Sequence, residues 1–172
     1  YDPARVNPAS IDLTLGTDFV NISDKEITYY NDFDVYDGIA QPGDRFEATA
    51  LKLLPGVALL ATTAEQVKIP DSPFYPARLQ QREGDMIQAC VAELRLKSSA
   101  ALAGLDHALA GWVDCGYSGT LTLELHAHRP IELLAGTAYV QLVVAAMLAT
   151  PSKSYQQTGR YIGEHAQGAV LS

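Results

Sequence analysis

Positive charge, cysteine and long apolar runs are all scarce in this sequence. Its 172 residues contain 12 Lys and Arg against 20 Asp and Glu, which gives a formal net charge of −8. That balance argues against a general DNA- or RNA-binding surface, because such a surface needs clustered cations. No apolar run approaches the roughly 20 residues of a membrane-spanning helix, and no signal peptide is visible after Tyr1. A hydrophobic content of 48% instead predicts one globular domain over residues 1–172.

The patterns of several enzyme classes are also missing. Two cysteines, Cys90 and Cys115, do not make a four-ligand zinc site. Nothing marks them as a disulfide framework, so we predict reduced, buried thiols in a cytoplasmic protein. The zinc deaminase pattern, His-x-Glu followed by Pro-Cys-x-x-Cys, is absent, and so are the Gly-x-Ser-x-Gly elbow, the Walker loop and the dinucleotide fingerprint. We therefore expect no protein-held metal site.

Short alternating runs between Gly and Pro signals predict a mainly β domain, a sandwich or distorted barrel with little helix. The acidic, tyrosine-rich stretch 24–37 is interpreted as a solvated excursion between strands. Residues 98–103 are typical of a short helix, with a serine N-cap and Gly104 as terminator. The run 138–147 is almost wholly apolar, so a second sheet or a partner subunit must cover both its faces. The remaining predicted strands are 11–15, which stops at Gly16, then 57–63, 67–69, 89–97 and 120–126.

Lys97-Ser98-Ser99 lies where a predicted strand meets the short helix. The first turn of a helix has unpaired N–H groups, so anions settle there. Two hydroxyls and an ammonium at that point would suit a di- or triphosphate. The alternative is an ordinary serine cap beside a surface lysine.

Glu124 lies on a strand whose alternation places Thr122, Glu124 and His126 on one face. A carboxylate there can act as a general base if burial adjusts its pKa. An exposed strand glutamate is the alternative. Just before this strand, Asp114 and Tyr117 bracket a turn. They would suit a sugar hydroxyl and a sugar ring, although turn capping alone also explains Asp114.

Several segments, in chain order, together resemble the dCTP deaminases of the trimeric dUTPase superfamily. The strongest is 110–119 (AGWVDCGYSG) followed by 120–125 (TLTLEL). Each segment alone is weak, but the ordered set is specific and extends from residue 7 to the end. The others are 7–16 (NPASIDLTLG), 94–99 (LRLKSS, with Lys97 for the family's Arg), 136–142 (GTAYVQL), and 159–161 with 167–172.

The resemblance implies a distorted, jelly-roll-like β-barrel of dUTPase type, assembled as a homotrimer with active sites at subunit boundaries. It implies hydrolytic deamination of dCTP, or a related cytosine deoxynucleotide, to dUTP and ammonia without zinc. Glu124 would activate the water, and Mg²⁺ would accompany the triphosphate. The implied binding residues are Lys97, Ser98 and Ser99 for phosphates, Asp114 for the 3′-hydroxyl, Gln141 for the base or sugar, and Tyr155, Arg160 and Gln167 from a closing tail. Tyr117, from the turn before the strand, and Thr122, from the face that carries Glu124, complete the set.

The sequence departs from the family pattern at Leu102, where the family usually carries a second arginine. Residues 71–88 resemble an insertion, and residues 152–172 a C-terminal lid or tail. Three other functions stay open. The chain could be a dUTPase-type pyrophosphatase in which Asp114 helps to activate water, or a bifunctional dCTP deaminase-dUTPase. It could also be a catalytically impaired nucleotide-binding trimer, which Leu102 favours.

Overall fold

The computed structural model describes residues 2–32, 35–75, 86–107 and 111–159. Strands make up most of the regular structure in these residues, which confirms the mainly β prediction. The elements, in chain order, are a 3₁₀ helix at Pro3–Arg5, β1 Ile11–Asn21, β2 Ile27–Asp32, β3 Val35–Ala40, β4 Arg45–Glu47, β5 Ala50–Leu53, β6 Ala58–Lys68, β7 Ala89–Leu96, α1 Ser98–Leu102, β8 Leu105–His107, β9 Trp112–Val113, β10 Ser118–Ala127, β11 Ile131–Leu134, β12 Ala138–Met147 and α2 Tyr155–Thr158.

Two antiparallel sheets enclose the core. The larger has eight strands in the order β8-β10-β6-β1-β12-β7-β9, with β4 also paired to β1, and the smaller has the order β11-β5-β2-β3. Strands β7 and β8 lie near opposite ends of the larger sheet and yet contact each other, so this sheet curls towards a barrel. Leucines from both sheets meet in the core, among them Leu51, Leu59 and Leu123.

Strand β1 runs straight through Gly16, so the prediction that it stops there is wrong. A Cβ at this position would lie only 3.0 Å from the carbonyl oxygen and hydroxyl of Thr62. The glycine therefore permits a close approach of β6 to β1 rather than a turn. The predicted strands 57–63 and 67–69 likewise form one continuous strand, β6.

The stretch 24–37 is also different from its prediction. It contains β2 and the first half of β3, an antiparallel pair that belongs to the smaller sheet. The ring of Tyr29 packs on Phe46 with their centroids 4.8 Å apart, and Ile27 is fully buried. Ile27 and Tyr29, two residues apart, thus pack in the core. The acidic composition of the segment concealed this alternation.

Strand β12 has the predicted bounds, but its second half is not covered within the described chain. Val140 and Leu142 are buried, whereas the four residues from Val143 to Ala146 are exposed on both faces of the strand. A second sheet therefore covers only the first half of this apolar run. The remaining half is bare apolar surface next to β7.

Three further predictions concern the chain's organisation and its thiols. Cys90 and Cys115 are free and buried, as predicted. The insertion over 71–88 and the lid over 152–172 stay predictions, because the structure describes only 71–75, 86–88 and 152–159 of them. None of the described helices has the length and apolarity to cross a membrane. The cytoplasmic location stays a prediction.

The leucines of β10 offer a test of the core. Leu123 is 0% exposed, so Leu123→Ala should lower the free energy of unfolding by about 2–5 kcal/mol through lost burial and a residual cavity. Urea unfolding at fixed protein concentration measures this. Leu102, which is 77% exposed, gives the matched control, and Leu102→Ala should change stability by no more than about 0.5 kcal/mol. Equal losses in both variants would contradict this placement of the core.

Candidate active site

Glu124 lies in the middle of β10, on the face opposite the buried leucines. The burial of β10 alternates strictly from Ser118 to Ala127, which confirms the predicted grouping of Thr122, Glu124 and His126. The Glu124 side chain is 39% exposed, and its Oε1 lies 3.8 Å from His126 Nε2. Within this single chain, the carboxylate is accessible to water and to a ligand.

A histidine on the neighbouring strand contacts the main chain of Glu124. His107 Nδ1 lies 3.2 Å from the Glu124 carbonyl oxygen. Because a carbonyl only accepts hydrogen bonds, His107 Nδ1 is the donor of this bond. His107 therefore helps to fix the backbone that carries the glutamate.

Lys97 directly follows β7 and forms an ion pair with Asp12 of β1. Lys97 Nζ donates to Asp12 Oδ2, and Asn7 Nδ2 donates to the other carboxylate oxygen at 2.7 Å. Asp12 is nearly buried, and the lysine is largely covered. The predicted phosphate-binding ammonium is therefore held in one direction by a charge-assisted hydrogen bond.

Gln141 lies beside this ion pair. In the register of the large sheet, Gln141 pairs with Asp12 on one side and Arg95 on the other, so these side chains share a face. Ser10 donates to Gln141 Oε1 at 2.8 Å. The N-terminal segment thus holds both Asp12 and Gln141, and it brings two predicted binding residues, Lys97 and Gln141, to one row.

Helix α1 follows Lys97 directly. Lys97 itself is the N-cap residue and makes no side-chain cap, so the predicted serine cap is wrong. Ser98 and Ser99 lie in the first turn with exposed side chains, while Gly104 follows the helix at φ +92°, as its predicted terminator. The two hydroxyls are consequently free to meet a ligand from solvent.

The predicted catalytic residue and the predicted phosphate-binding residues lie on different elements. Along the sheet order, β6, β1 and β12 lie between β10, which carries Glu124, and β7, which leads to Lys97. In the other direction the sheet curls, and β8, which pairs with β10, contacts β7 and α1. Among the described residues, no hydrogen bond or ion pair joins Glu124 to Lys97, Ser98 or Ser99.

The turn before β10 holds the remaining described residues of the prediction. Asp114 is exposed and accepts a hydrogen bond from Trp112 Nε1 at 3.0 Å. Tyr117 is buried, donates its hydroxyl proton to the Thr120 carbonyl, and packs against Tyr155 with ring centroids 5.5 Å apart. Tyr155 belongs to α2 and donates its backbone N–H to Cys115 at 2.9 Å. The start of the predicted tail is thereby joined to the hairpin.

Arg160 and Gln167 lie outside the described residues. Within the described part, sequence reasoning overlooked three contacting residues: Asp12, Ser10 and Trp112. Asp12 and Ser10 stand in the quoted segment 7–16 and Trp112 stands in the quoted segment 110–119, so a signal for all three existed. A cleft of about 380 Å³ beside β1 and β6, lined by Gly16, Thr62 and Thr120 among others, includes none of the predicted site residues.

The curled larger sheet and the smaller sheet enclose one core, which makes this a mainly β, barrel-like protein of the dUTPase fold type. Residues 1–147 match the family model described as dCTP deaminase-like. The chain is 32% identical to a dUMP-forming dCTP deaminase of Methanoculleus marisnigri over 83% of this chain and 68% of that relative. It is also 32% identical to a dUMP-forming dCTP deaminase of Aquifex aeolicus, over 100% of this chain and 82% of the relative. The chain belongs to the dCTP deaminase-like family.

A solved structure agrees with the fold. The crystal structure of 2′-deoxycytidine 5′-triphosphate deaminase from Agrobacterium tumefaciens matches with a TM-score of 0.57 at 17% identity. The match covers 86% of this chain but only 42% of that protein. At this identity the likeness supports the fold alone.

Tyr117 gives a pH-dependent prediction. Burial, and to a smaller extent the charge of Tyr155, raises the pKa of Tyr117 to about 12. The pKa of a tyrosine in an unfolded chain is about 10. This raised pKa contributes to the free energy of unfolding in full below pH 10. The contribution is lost as the pH rises through 12, because the unfolded chain releases its proton first. Tyr117→Phe lacks this contribution, so the wild-type advantage in free energy of unfolding should narrow between pH 9 and pH 12.

Denaturant unfolding across that pH range measures the effect. At pH 9, Tyr117→Phe should cost about 1 kcal/mol through the lost hydrogen bond to Thr120. Tyr75, which is exposed, gives the matched control. The free energy of unfolding of Tyr75→Phe should equal that of the wild type throughout this pH range. A Tyr117→Phe difference that stays constant or widens up to pH 12 would contradict the assignment.

Proposed function

We propose that this chain hydrolytically deaminates dCTP, or a closely related cytosine deoxynucleotide, with Glu124 activating water. The observation that carries the proposal is the accessible Glu124 carboxylate, flanked by Thr122 and His126, in a chain whose first 147 residues match the dCTP deaminase-like family. Glu124 would take a proton from water as the oxygen attacks C4 of the cytosine. It would return that proton to the amino group, which leaves as ammonia, so that dCTP and water give dUTP and ammonia.

Lys97, Ser98 and Ser99 would hold the phosphates. Two exposed hydroxyls follow an ammonium whose direction is already set by Asp12. Gln141 lies in the same row and would contact the base or sugar. The preset ammonium supports this role, because little conformational freedom remains to be lost when an anion binds.

The working assembly in this proposal is a homotrimer. The bare half of β12 is a strip of apolar surface, and such a strip is more stable when another copy covers it. No hydrogen bond or ion pair of the described residues joins Glu124 to Lys97 within one chain, and in the proposal residues from two copies complete each site. The exposed apolar strip supports this assembly, in which the active sites lie at subunit boundaries.

Mg²⁺ enters the proposal only as a companion of the triphosphate. In the part of the chain that the structure describes, no three His, Cys, Asp or Glu side chains come together to hold a metal ion. The triphosphate oxygens would provide its ligands. No proposed step passes through the metal, and zinc has no part in the proposed reaction.

A second activity is favoured by the names of the relatives and by Asp114. Relatives of about 30% identity are named as dUMP-forming. In this chain Asp114 presents an exposed carboxylate beside the turn. A bifunctional enzyme would then add a second water at the α-phosphate and release pyrophosphate, so that dCTP and two waters give dUMP, ammonia and pyrophosphate.

Product analysis tests the proposal directly. Purified protein with Mg²⁺ is incubated with dCTP, dCMP, dUTP and methylated cytosine nucleotides, and ammonia, pyrophosphate and the nucleotides are measured. Ammonia with dUTP supports simple deamination, while ammonia with pyrophosphate and dUMP supports the bifunctional reaction. Pyrophosphate from dUTP without ammonia from any cytosine nucleotide would overturn the deaminase in favour of the pyrophosphatase. Nucleotide binding without any product would support the impaired trimer, in which Leu102 replaces the expected arginine.

Glu124→Gln should lower ammonia release by about 100-fold or more, because the amide cannot accept the proton. The fold should stay intact, since Glu124 lies on the outer face of β10. Glu132→Gln, at an exposed glutamate of another strand, is the matched control and should keep full activity. Deamination that survives Glu124→Gln would remove Glu124 from the mechanism.

Val144→Asp should break the trimer into monomers. Val144 is 45% exposed within one chain, but in the assembly the new carboxylate would be buried without a partner, which is costly. Ile39, 44% exposed on β3 of the smaller sheet, gives the matched control Ile39→Asp. Light scattering after size-exclusion chromatography measures the mass. A wild type that is itself monomeric, or a Val144→Asp variant of unchanged mass, would contradict the proposed interface.

A further inference from the structure

We infer that Trp112 is a positioning residue for Asp114 and sets how well the site distinguishes nucleotides with a 3′-hydroxyl from those without one. The inference rests on the proposed function, in which Asp114 meets that hydroxyl. It is carried by the hydrogen bond from the Trp112 indole to the Asp114 carboxylate.

The backbone places the two side chains together. Trp112 and Val113 form the short strand β9, which pairs with Glu93 and Ala92 of β7. Residues two apart on an extended strand point to the same side. Asp114 therefore follows Trp112 on one face, at the point where the turn to β10 begins.

The turn itself is held firmly. Gly116 donates its N–H to the Ile69 carbonyl at 2.9 Å, and Ile69 donates to the Tyr117 carbonyl at 2.9 Å. These bonds anchor the main chain that follows Asp114, and the pairing of β9 with β7 anchors the main chain before it. The carboxylate is exposed, and in water it would rotate freely without a partner.

Trp112 removes much of that freedom. Its Nε1 donates to Asp114 Oδ1 at 3.0 Å, and no second side-chain bond to Asp114 occurs among the described residues. One oxygen is thus fixed, and the other keeps its lone pairs for an incoming donor. A sugar 3′-hydroxyl is such a donor.

The indole is not needed to fill the core. Trp112 is 63% exposed and lies outside the cluster of buried residues. Its removal should consequently affect recognition more than folding.

The test compares dCTP with 2′,3′-dideoxy-CTP, which lacks only the 3′-hydroxyl. Trp112→Phe keeps an aromatic ring but loses the N–H. For dCTP, kcat/KM should fall by about three- to tenfold, the value of one hydrogen bond, mainly through KM. For the dideoxy nucleotide it should change by less than about twofold. Asp114→Asn should also lower discrimination, and the double variant should discriminate no worse than Asp114→Asn alone.

A matched control removes a polar group from an aromatic ring elsewhere. Tyr29→Phe lies on β2 of the smaller sheet, and it should leave both kcat/KM values unchanged. Equal losses for both nucleotides in Trp112→Phe, or additive losses in the double variant, would overturn the positioning role.

A measurement without turnover separates this inference from the proposed function. The chain contains one Trp, so the ¹H–¹⁵N spectrum shows one indole resonance. That resonance should shift in Asp114→Asn and on addition of dCTP, and shift less on addition of the dideoxy nucleotide.

If dCTP is bound but not deaminated, equilibrium dissociation constants replace kcat/KM, and the same ratio between dCTP and the dideoxy nucleotide is expected. Absence of nucleotide binding by the wild type would overturn the proposed function and this inference together. An active wild type with an unaltered ratio in Trp112→Phe overturns the inference alone.

Discussion

Strand β1 pairs with three other strands, and the layout of the candidate site depends on this pairing. Its first half pairs with β12, which places Asp12 beside Gln141 and within reach of Lys97. Its second half pairs with β4 and β6, and β6 in turn pairs with β10, which carries Glu124. The register of one strand thus sets both the row of Asp12, Gln141 and Lys97 and the position of the catalytic candidate. Gly16, at the change from one partner to the other, allows the close approach of β6.

Local patterns predicted the parts of the fold that depend on local physics. The alternation in β10 marked its inward leucines and the outward face of Glu124, and the apolar run of β12 gave that strand its bounds. The family that the comparison then showed was indicated by three segments in chain order: the early motif, the Lys97 segment and the hairpin. These predictions are correct because the alternation of a strand can be recognised from neighbouring residues alone.

Long-range contacts explain what the sequence did not reveal. Asp12 and Lys97 are 85 positions apart, and Ser10 and Gln141 are 131 apart, so no local window relates them. The stretch 24–37 was misjudged because its acidic residues masked the alternate residues that reach the core. The serine cap failed because the chain enters α1 one residue earlier than a capping serine requires. Whether a partner covers β12 depends on a second molecule, which no single sequence displays.

Helix α1 has five residues, and so short a helix does not persist in isolation. The guanidinium of Arg129 donates to the Leu102 carbonyl, and β8 begins directly after Gly104 at the edge of the large sheet. The helix is therefore kept in shape by its attachments, and fraying of the edge strand would loosen Ser98 and Ser99 as well. Motion of this sheet edge is therefore expected to move the segment that carries the two hydroxyls. A ligand bound to that segment would reduce the motion and slow hydrogen exchange at the amides of β8.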